Sequence, residues 1–278
     1  MKRPCSNLFI LTCLLAAPLV AQPAIGGNTC DSGDLSGNYS FTLTGRQVTS
    51  AGNYSNVLQG NGTANFDGLN KVIITITTNT LQSVGTPLNW TGTYTMQANC
   101  AGVVTITSGG SAVLNLVSYN QGVDFLVTGN DSIYSYSGSG NTQPANCSAA
   151  TLSGVYVFTG TGYSLASGAV SGPANGTGLV QFDGVSNVTV NSTLSGIGAT
   201  QTNSNLTGSY SVSSTCVGSA TLTNSKGNTI VMSLSITNSS VANGAFDLTL
   251  GQSGASLLSG SGHAVYGQPT ATAVGGTL

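Results

Sequence analysis

The chain carries the same pattern of residues twice. In the first copy the pattern begins at Cys30, continues through Leu-Ser-Gly, Tyr-x-Phe, Phe-Asp-Gly and Thr-Gly-x-Tyr motifs, and ends at Cys100-Ala-Gly. It returns in the same order from Cys147 to Gly218, first at an offset of 117 residues and then, from Phe182 onward, at 116. A repeat of this length is too long for a solenoid unit, so each copy is expected to own a core and to fold as a domain.

The ends of the chain and the stretch between the copies indicate its organisation. Lys2 and Arg3 precede an apolar run and then small residues, which is typical of a secretory signal peptide. No later stretch is long and apolar enough for a membrane helix, so an extracellular or periplasmic location is expected. The predicted segments are a signal peptide at 1–21, a first β domain at 30–140, a linker at 141–146, a second β domain at 147–267 and a loose tail at 268–278.

Charged residues make up 4% of the chain, against about a quarter in an ordinary soluble domain. After the leader, Arg46, Lys71 and Lys226 accompany seven aspartates, and the chain has no glutamate. Nucleic acid is therefore not expected as a partner, because binding phosphate requires clustered Lys and Arg. Disorder is not expected either, because regularly spaced Val, Ile, Leu, Tyr and Phe can form a buried face.

Four cysteines follow the leader, one pair in each copy. Cys30 and Cys100 are 70 residues apart, and Cys147 and Cys216 are 69 apart. Four cysteines allow three pairings, but only the pairing within each copy is repeated by the duplication. Two intradomain disulfides are therefore predicted, as is usual in an oxidising compartment. Neither a metal site nor a cofactor is expected, because the chain has one histidine and no Cys-x-x-Cys pair.

Short runs of alternating apolar and polar residues fill each copy. Tyr39, Phe41 and Leu43 alternate with Ser and Thr, and the Asp-Gly pair at 67–68 indicates a hairpin turn between two further runs. About eight strands are predicted in each copy, in an antiparallel meander, and no segment has a helical period. Closure into a barrel would remove both edge strands, while an open sandwich is the alternative. The predicted fold class is all-β, with two tandem antiparallel domains.

The openings of two strands support a more specific fold. Gly37-Asn38-Tyr39 and its counterpart Gly154-Val155-Tyr156 resemble the Gly-x-Trp opening of the calycin barrels, the group that includes lipocalins and avidins. The segment Thr91-Gly92-Thr93-Tyr94 is similar to strand openings in the avidin group. The repeated motifs also resemble those of uncharacterised secreted bacterial tandem-repeat proteins. These resemblances imply a calycin-like barrel and export, and they imply no activity.

Two aspartates are the candidates for a repeated catalytic carboxylate, because Asp67 and Asp183 occupy matching positions. Each precedes glycine between two strands, where aspartate is favoured as a turn residue, and we expect that role. A glycosidase would need a second carboxylate, for which Asp124 and Asp247 are rough counterparts. A Ser-His-Asp triad could form only in the second copy, with His263. No catalytic residue is therefore assigned.

The aromatic residues divide into those that the duplication keeps and those that it does not. The matched ones are expected in the cores. The unmatched ones could stack on a sugar or another planar ligand, or they could fill cores that differ between the copies. These candidate ligand-binding residues are Trp90, Tyr54, Tyr119, Tyr134, Tyr136 and Tyr163.

The residue types favour binding over catalysis, because acid–base and nucleophilic mechanisms lack their usual groups here. The leading interpretation is a secreted non-enzymatic protein that binds a small apolar ligand inside a barrel or a carbohydrate on an outer face. One alternative is a structural or adhesive protein of the cell surface or extracellular matrix, which would self-associate. The other is a hydrolase that depends on Asp67 and Asp183.

Overall fold

The computed structural model contains two closed antiparallel barrels of eight strands each. It describes residues 29–48, 54–196, 199–238, 245–252 and 256–265. The prediction of an all-β chain with two antiparallel eight-stranded domains is confirmed, and the closed barrel is found rather than the open sandwich. The predicted signal peptide and loose tail lie outside the described residues.

The first barrel follows the order of the chain, after a short 3₁₀ turn at Ser32–Asp34. Each strand pairs with the next, and the eighth pairs back with the first, so no sheet edge is left open. Its strands are β1 Ser36–Val48, β2 Tyr54–Asp67, β3 Lys71–Thr80, β4 Thr86–Met96, β5 Ala101–Ser108, β6 Val113–Tyr119, β7 Asp124–Asn130 and β8 Ser135–Thr142.

The second barrel repeats this topology after a 3₁₀ turn at Ala149–Leu152. No helix in the described ranges is long and apolar enough to cross a membrane. The strands are β9 Ser153–Ala166, β10 Ala169–Asp183, β11 Asn187–Gly196, β12 Ala199–Val212, β13 Val217–Asn224, β14 Thr229–Thr237, β15 Ala245–Gln252 and β16 Ser256–Ala264. The predicted domain limits themselves stay a prediction.

Period-two alternation places the apolar side chains inside each barrel. In β3, Val72, Ile74 and Ile76 are buried, while Ile73 between them is exposed. The hairpin that follows β2 turns at Gly68, whose φ of 76° lies in the left-handed region that glycine adopts without strain. The local pattern of the sequence therefore explains both the strands and the turns.

The matched aromatic residues fill the barrel interiors. In the first barrel the Phe66 ring lies 5.6 Å from Tyr39, 4.9 Å from Tyr94 and 5.5 Å from Phe125, centroid to centroid. The corresponding ring of the second barrel, Phe182, has the corresponding three neighbours. Edge-to-face and tilted contacts of this kind add to the stabilisation that burial provides. Each copy thus has a complete core of its own.

One disulfide lies in each barrel, and the predicted pairing is confirmed. Cys30 is bonded to Cys100, and Cys147 is bonded to Cys216, with Cα atoms 5.0 Å apart in both cases. Each bond ties the segment before the first strand of a barrel to the residue that precedes the fifth strand. The disulfides therefore close the same loop in both copies.

The two barrels pack against each other. Strands β1–β3 of the first barrel contact β10 and β14–β16 of the second. A small apolar cluster lies at this contact, formed by Val57 of the first barrel with Tyr163, Leu165 and Leu257 of the second. Residues of both copies therefore meet in one interface, which neither copy could form alone.

Candidate functional site at the interface between the barrels

The barrel interiors are occupied by the chain's own side chains. In the first barrel Tyr39, Phe41, Tyr94 and Phe125 are each 1% exposed. Two clefts of several hundred Å³ lie between the barrels instead. An interior that is packed with side chains is typical of a small barrel that serves as a scaffold.

A cluster of buried polar residues joins the barrels. Ser40 of β1 donates a hydrogen bond from Oγ to Oδ2 of Asp247 in β15, at 2.5 Å. Asn61 of β2 donates from Nδ2 to the Asp247 backbone oxygen at 3.3 Å and accepts from Thr249 Oγ1 at 3.0 Å. All four side chains are at most 8% exposed. Hydrogen bonding of this kind is required when polar groups leave water, and it fixes how the two surfaces align.

The same cluster continues toward the linker. Ser235 Oγ in β14 donates to the Gly62 backbone oxygen at 2.6 Å and accepts from Gln143 Nε2 at 3.1 Å. Asn238 Nδ2 donates to the Gln143 backbone oxygen at 2.9 Å. We call the set Ser40, Asn61, Gln143, Ser235, Asp247 and Thr249 the interface cluster. It links β1, β2 and the linker to β14 and β15.

Asp247 is the ionisable group of the interface cluster. Burial raises the pKa of its carboxyl group to about 6, while the Ser40 hydrogen bond and the charge of His263 act in the opposite direction. A cleft of about 320 Å³ beside it is lined by Asn141, Asn238, Asp247 and His263, among others. The Ser40 hydroxyl is fully buried and donates directly to the carboxylate, so it is not the imidazole-bound nucleophile that a Ser-His-Asp triad requires.

The repeated carboxylates bind the turns in which they lie. Asp183 Oδ1 accepts hydrogen bonds from the backbone N–H groups of residues 185, 186 and 187 at 2.8, 2.8 and 2.9 Å. Asp67 does the same for residues 69, 70 and 71. These bonds, led by the one from Val185, lower the pKa of Asp183 to about 2, and the pKa of Asp67 is lowered likewise. The geometry accounts for both residues as turn residues.

Replacing Asp183 by alanine is expected to lower the midpoint of thermal unfolding at neutral pH, because three backbone N–H groups lose their shared acceptor. Asp183→Asn is the matched control: it keeps one carbonyl oxygen, so its midpoint should stay closer to wild type. The lowered pKa means that the carboxylate stabilises the fold above pH 3.8 and loses this effect as the pH falls toward about 2. Circular dichroism at both ends of this range measures it. Equal midpoints for Asp183→Ala and wild type would contradict the turn role.

Three of the unmatched aromatic residues lie together in the first barrel. Trp90 and Tyr136 are 3% and 6% exposed, and their ring centroids are 5.8 Å apart. Tyr134 is partly buried and packs against Tyr136. Tyr119 is 43% exposed at the end of β6. The side chain of Tyr54 lies outside the described side chains. Trp90 and Tyr136 are thus buried within the first barrel, and a ligand-binding role for these five residues stays a prediction.

Tyr163, the sixth unmatched aromatic residue, borders a cleft of about 420 Å³ between the barrels. The guanidinium carbon of Arg46 lies 5.9 Å from the centroid of its ring. Gln59 is 2% exposed, and its amide oxygen accepts a hydrogen bond from Thr44 Oγ1 at 3.0 Å. We call this the Arg46 cleft; its lining includes Thr44, Arg46, Gln59, Thr161, Tyr163, Pro173, Asn175 and Ser259.

Sequence reasoning missed Arg46, Gln59 and Asn175, because the Arg46 cleft exists only where the two barrels meet. One feature of the sequence could have indicated the cleft: the two copies differ at this position. Arg46 of the first copy corresponds to Tyr163 of the second, 117 residues later. Among the described residues, no three His, Cys, Asp or Glu side chains are grouped as they would be to hold a metal ion.

Comparisons with known proteins do not assign a family to the chain. Neither a protein-family model nor a curated protein matches it. Seven solved chains match, among them a protein of unknown function from the DUF3598 family of Nostoc punctiforme. That protein is 11% identical, the match covers 84% of this chain and 97% of that chain, and the TM-score is 0.26. A likeness of this degree carries no conclusion about activity, and the calycin resemblance stays a prediction.

Proposed function

We propose that this protein is an exported, non-enzymatic binding protein whose ligand is a carbohydrate held in the Arg46 cleft. The observation that carries the proposal is a cleft of about 420 Å³ at the contact of two barrels whose interiors are filled. Binding sites are commonly found at such contacts between domains. An apolar ligand inside a barrel has less support, because Tyr39, Phe66 and Phe125 occupy that space.

The lining of the Arg46 cleft suits a sugar. Amide groups of Gln59 and Asn175 and the hydroxyl of Ser259 can exchange hydrogen bonds with sugar hydroxyl groups. Tyr163 is 6% exposed, so only part of its ring can contact a sugar in the cleft. The positive charge of Arg46 would favour a sugar that bears a carboxylate. The cleft therefore combines polar groups with a limited apolar surface, as sites for small polar ligands do.

Export is supported by the disulfides and by the predicted leader. Disulfide bonds persist in extracellular and periplasmic compartments and are rare in a reducing cytosol. The hydrolase alternative has no support in the geometry, because the carboxylates of Asp67 and Asp183 accept the backbone hydrogen bonds of their own turns.

Carbohydrate binding is tested by screening the mature protein against immobilised neutral and uronic-acid oligosaccharides, followed by calorimetry on the best ligand. Asn175→Ala and Arg46→Ala are each expected to weaken binding about tenfold, which corresponds to the loss of one hydrogen bond or ion pair. Both residues are exposed, so the fold should tolerate the changes. Lys226→Ala, a change to an exposed cation outside the cleft, is the control and should bind as wild type. Affinity that is unchanged in both cleft variants would overturn the proposal.

A further inference from the structure

The smaller of the two clefts between the barrels contains a carboxylate with one oxygen that has no partner. Asp247 Oδ2 accepts the hydrogen bond from Ser40, whereas Oδ1 accepts none from the described residues. Asp247 is 8% exposed and borders the cleft, so the accessible part of its side chain faces that space. We call this cleft of about 320 Å³ the Asp247 cleft; its polar lining includes Asn141, Asn238, Asp247, Ser261 and His263.

This carboxylate has neither a lysine nor an arginine as a counter-ion. The cations that follow the predicted leader are Arg46, Lys71 and Lys226, and none of these three lines the Asp247 cleft. The charge of His263 favours the carboxylate, but an imidazole is charged only while it is protonated. Burial raises the pKa of Asp247 to about 6, so the group is ionised above that pH. Because a buried charge without a counter-ion is unfavourable, a bound cation would stabilise it.

The other polar groups of the Asp247 cleft can accept hydrogen bonds. Asn238 Nδ2 donates to the Gln143 backbone oxygen at 2.9 Å, which leaves Asn238 Oδ1 available to another donor. The side chains of Asn141 and Ser261 make no hydrogen bond to a described residue, and each has an oxygen that can accept one. Together with Asp247 Oδ1, these oxygens make the cleft rich in acceptors.

The strand registers explain why these groups meet. Asp247 of β15 is paired with Ser261 of β16, and the next outward position of β16 is His263, so the three side chains share the outer face of the second barrel. Asn141 of β8 is paired with Ser40, which donates to Asp247, so the first barrel brings Asn141 to the same place. The Asp247 cleft therefore requires both barrels, as the Arg46 cleft does.

We propose that the Asp247 cleft binds the ammonium group of a small organic cation, a protonated primary amine. An ammonium group has three donors and no acceptor, so it can bond Asp247 Oδ1 and the amide oxygens of Asn141 and Asn238 together. A ligand carboxylate would be repelled by Asp247, and a neutral polyol would leave Asp247 without a counter-ion. The inference goes beyond carbohydrate binding and does not depend on it, because the two clefts share no lining residue.

The test is proton NMR of the mature protein, prepared without a histidine tag and titrated with ethanolamine at pH 8 and constant ionic strength. His263 is the one histidine of the chain and lines the cleft, so its ring resonances report on this site. Ethanolamine carries an ammonium group at this pH and should shift these resonances in a saturable way. Ethylene glycol has a hydroxyl in place of the ammonium, and tetramethylammonium has the charge without a donor. Both are matched controls and should give no saturable shift.

Substitutions connect the shift to the proposed groups. Asp247→Asn removes the charge and keeps an oxygen acceptor, and it should weaken ethanolamine binding at least tenfold, the loss expected for a charged hydrogen bond. Asn141→Ala removes one acceptor from a partly exposed position and should weaken binding about threefold. Asp67→Asn changes a carboxylate that binds its own turn, and Arg46→Ala changes the other cleft. Both of these controls should bind ethanolamine as wild type does.

Each other result overturns the inference. The absence of a saturable shift with ethanolamine would show that the cleft does not hold an ammonium group. Equal shifts with ethylene glycol or tetramethylammonium would show that the charge or the donors are not recognised. Unchanged binding in Asp247→Asn would place the amine elsewhere on the chain. If Asp247→Asn disturbs the contact between the barrels, as its circular dichroism spectrum would show, Asn141→Ala gives the answer, and unchanged binding in that variant is the contrary result.

Discussion

Replacing Cys147 and Cys216 together by alanine will lower the free energy of unfolding of the second barrel by about 4 kcal/mol, on the chain-entropy account of a disulfide that closes a long loop. The bond joins residues 69 apart in sequence, so its loss frees many conformations of the unfolded chain. Cys216 is 0% exposed, and alanine leaves no polar group at this buried site. Urea unfolding at neutral pH, followed by circular dichroism, measures the change as a shift of the midpoint.

The first barrel supplies the comparison for this experiment. Cys30 and Cys100 are 70 residues apart and close the corresponding loop, so their replacement should have an effect of similar size on that barrel. A reducing agent applied to wild type should combine both effects. An unfolding midpoint that neither pair of substitutions moves would contradict the stabilising role of the disulfides.

The strands, turns and disulfides were predictable because each is a local or repeated property of the sequence. Alternation in β3 places Val72 and Ile74 on the inner face whatever the rest of the chain does. The duplication resolved the choice among cysteine pairings. Closure of the barrel was harder to predict, because no residue pattern in β1 or β8 indicates that these two strands pair. It could be expected only because open edge strands promote aggregation.

The interface cluster was not predictable from alternation. Asp247 and Ser40 occupy outward positions of their strands, and an outward polar residue is normally read as exposed to water. They are buried because a second barrel covers them. Leu126 and Val157 show the converse, since apolar residues occupy outward positions that remain exposed within one chain. The sequence could have indicated the contact through these outward positions, which are polar in one copy and apolar in the other: Ser40 corresponds to Val157, and Asp247 to Leu126.

Replacing Asp247 by asparagine will raise the free energy of unfolding at neutral pH and remove most of its dependence on pH between about 4 and 6. The raised pKa means that the folded protein binds a proton more tightly than the unfolded chain does. Stability from this group is therefore greatest at or below pH 3.8, falls as the pH rises to about 6, and is constant above it. The difference between a pKa of 3.8 in the unfolded chain and about 6 in the folded protein corresponds to about 3 kcal/mol. Urea unfolding at a series of pH values measures this slope.

Two further variants assign the slope to the contact between the barrels. Ser40 stabilises the charged form by donating to the carboxylate, so Ser40→Ala should raise the pKa of Asp247 further and extend the decline to higher pH. Asp67→Asn is the matched control, because the pKa of Asp67 is lowered and its titration falls below this window. A slope that survives in Asp247→Asn would trace the pH dependence to another group. A slope that vanishes there and reaches to higher pH in Ser40→Ala would mean that acid strengthens the docking of the barrels, because the carboxylate and its donor come from opposite sides of the contact.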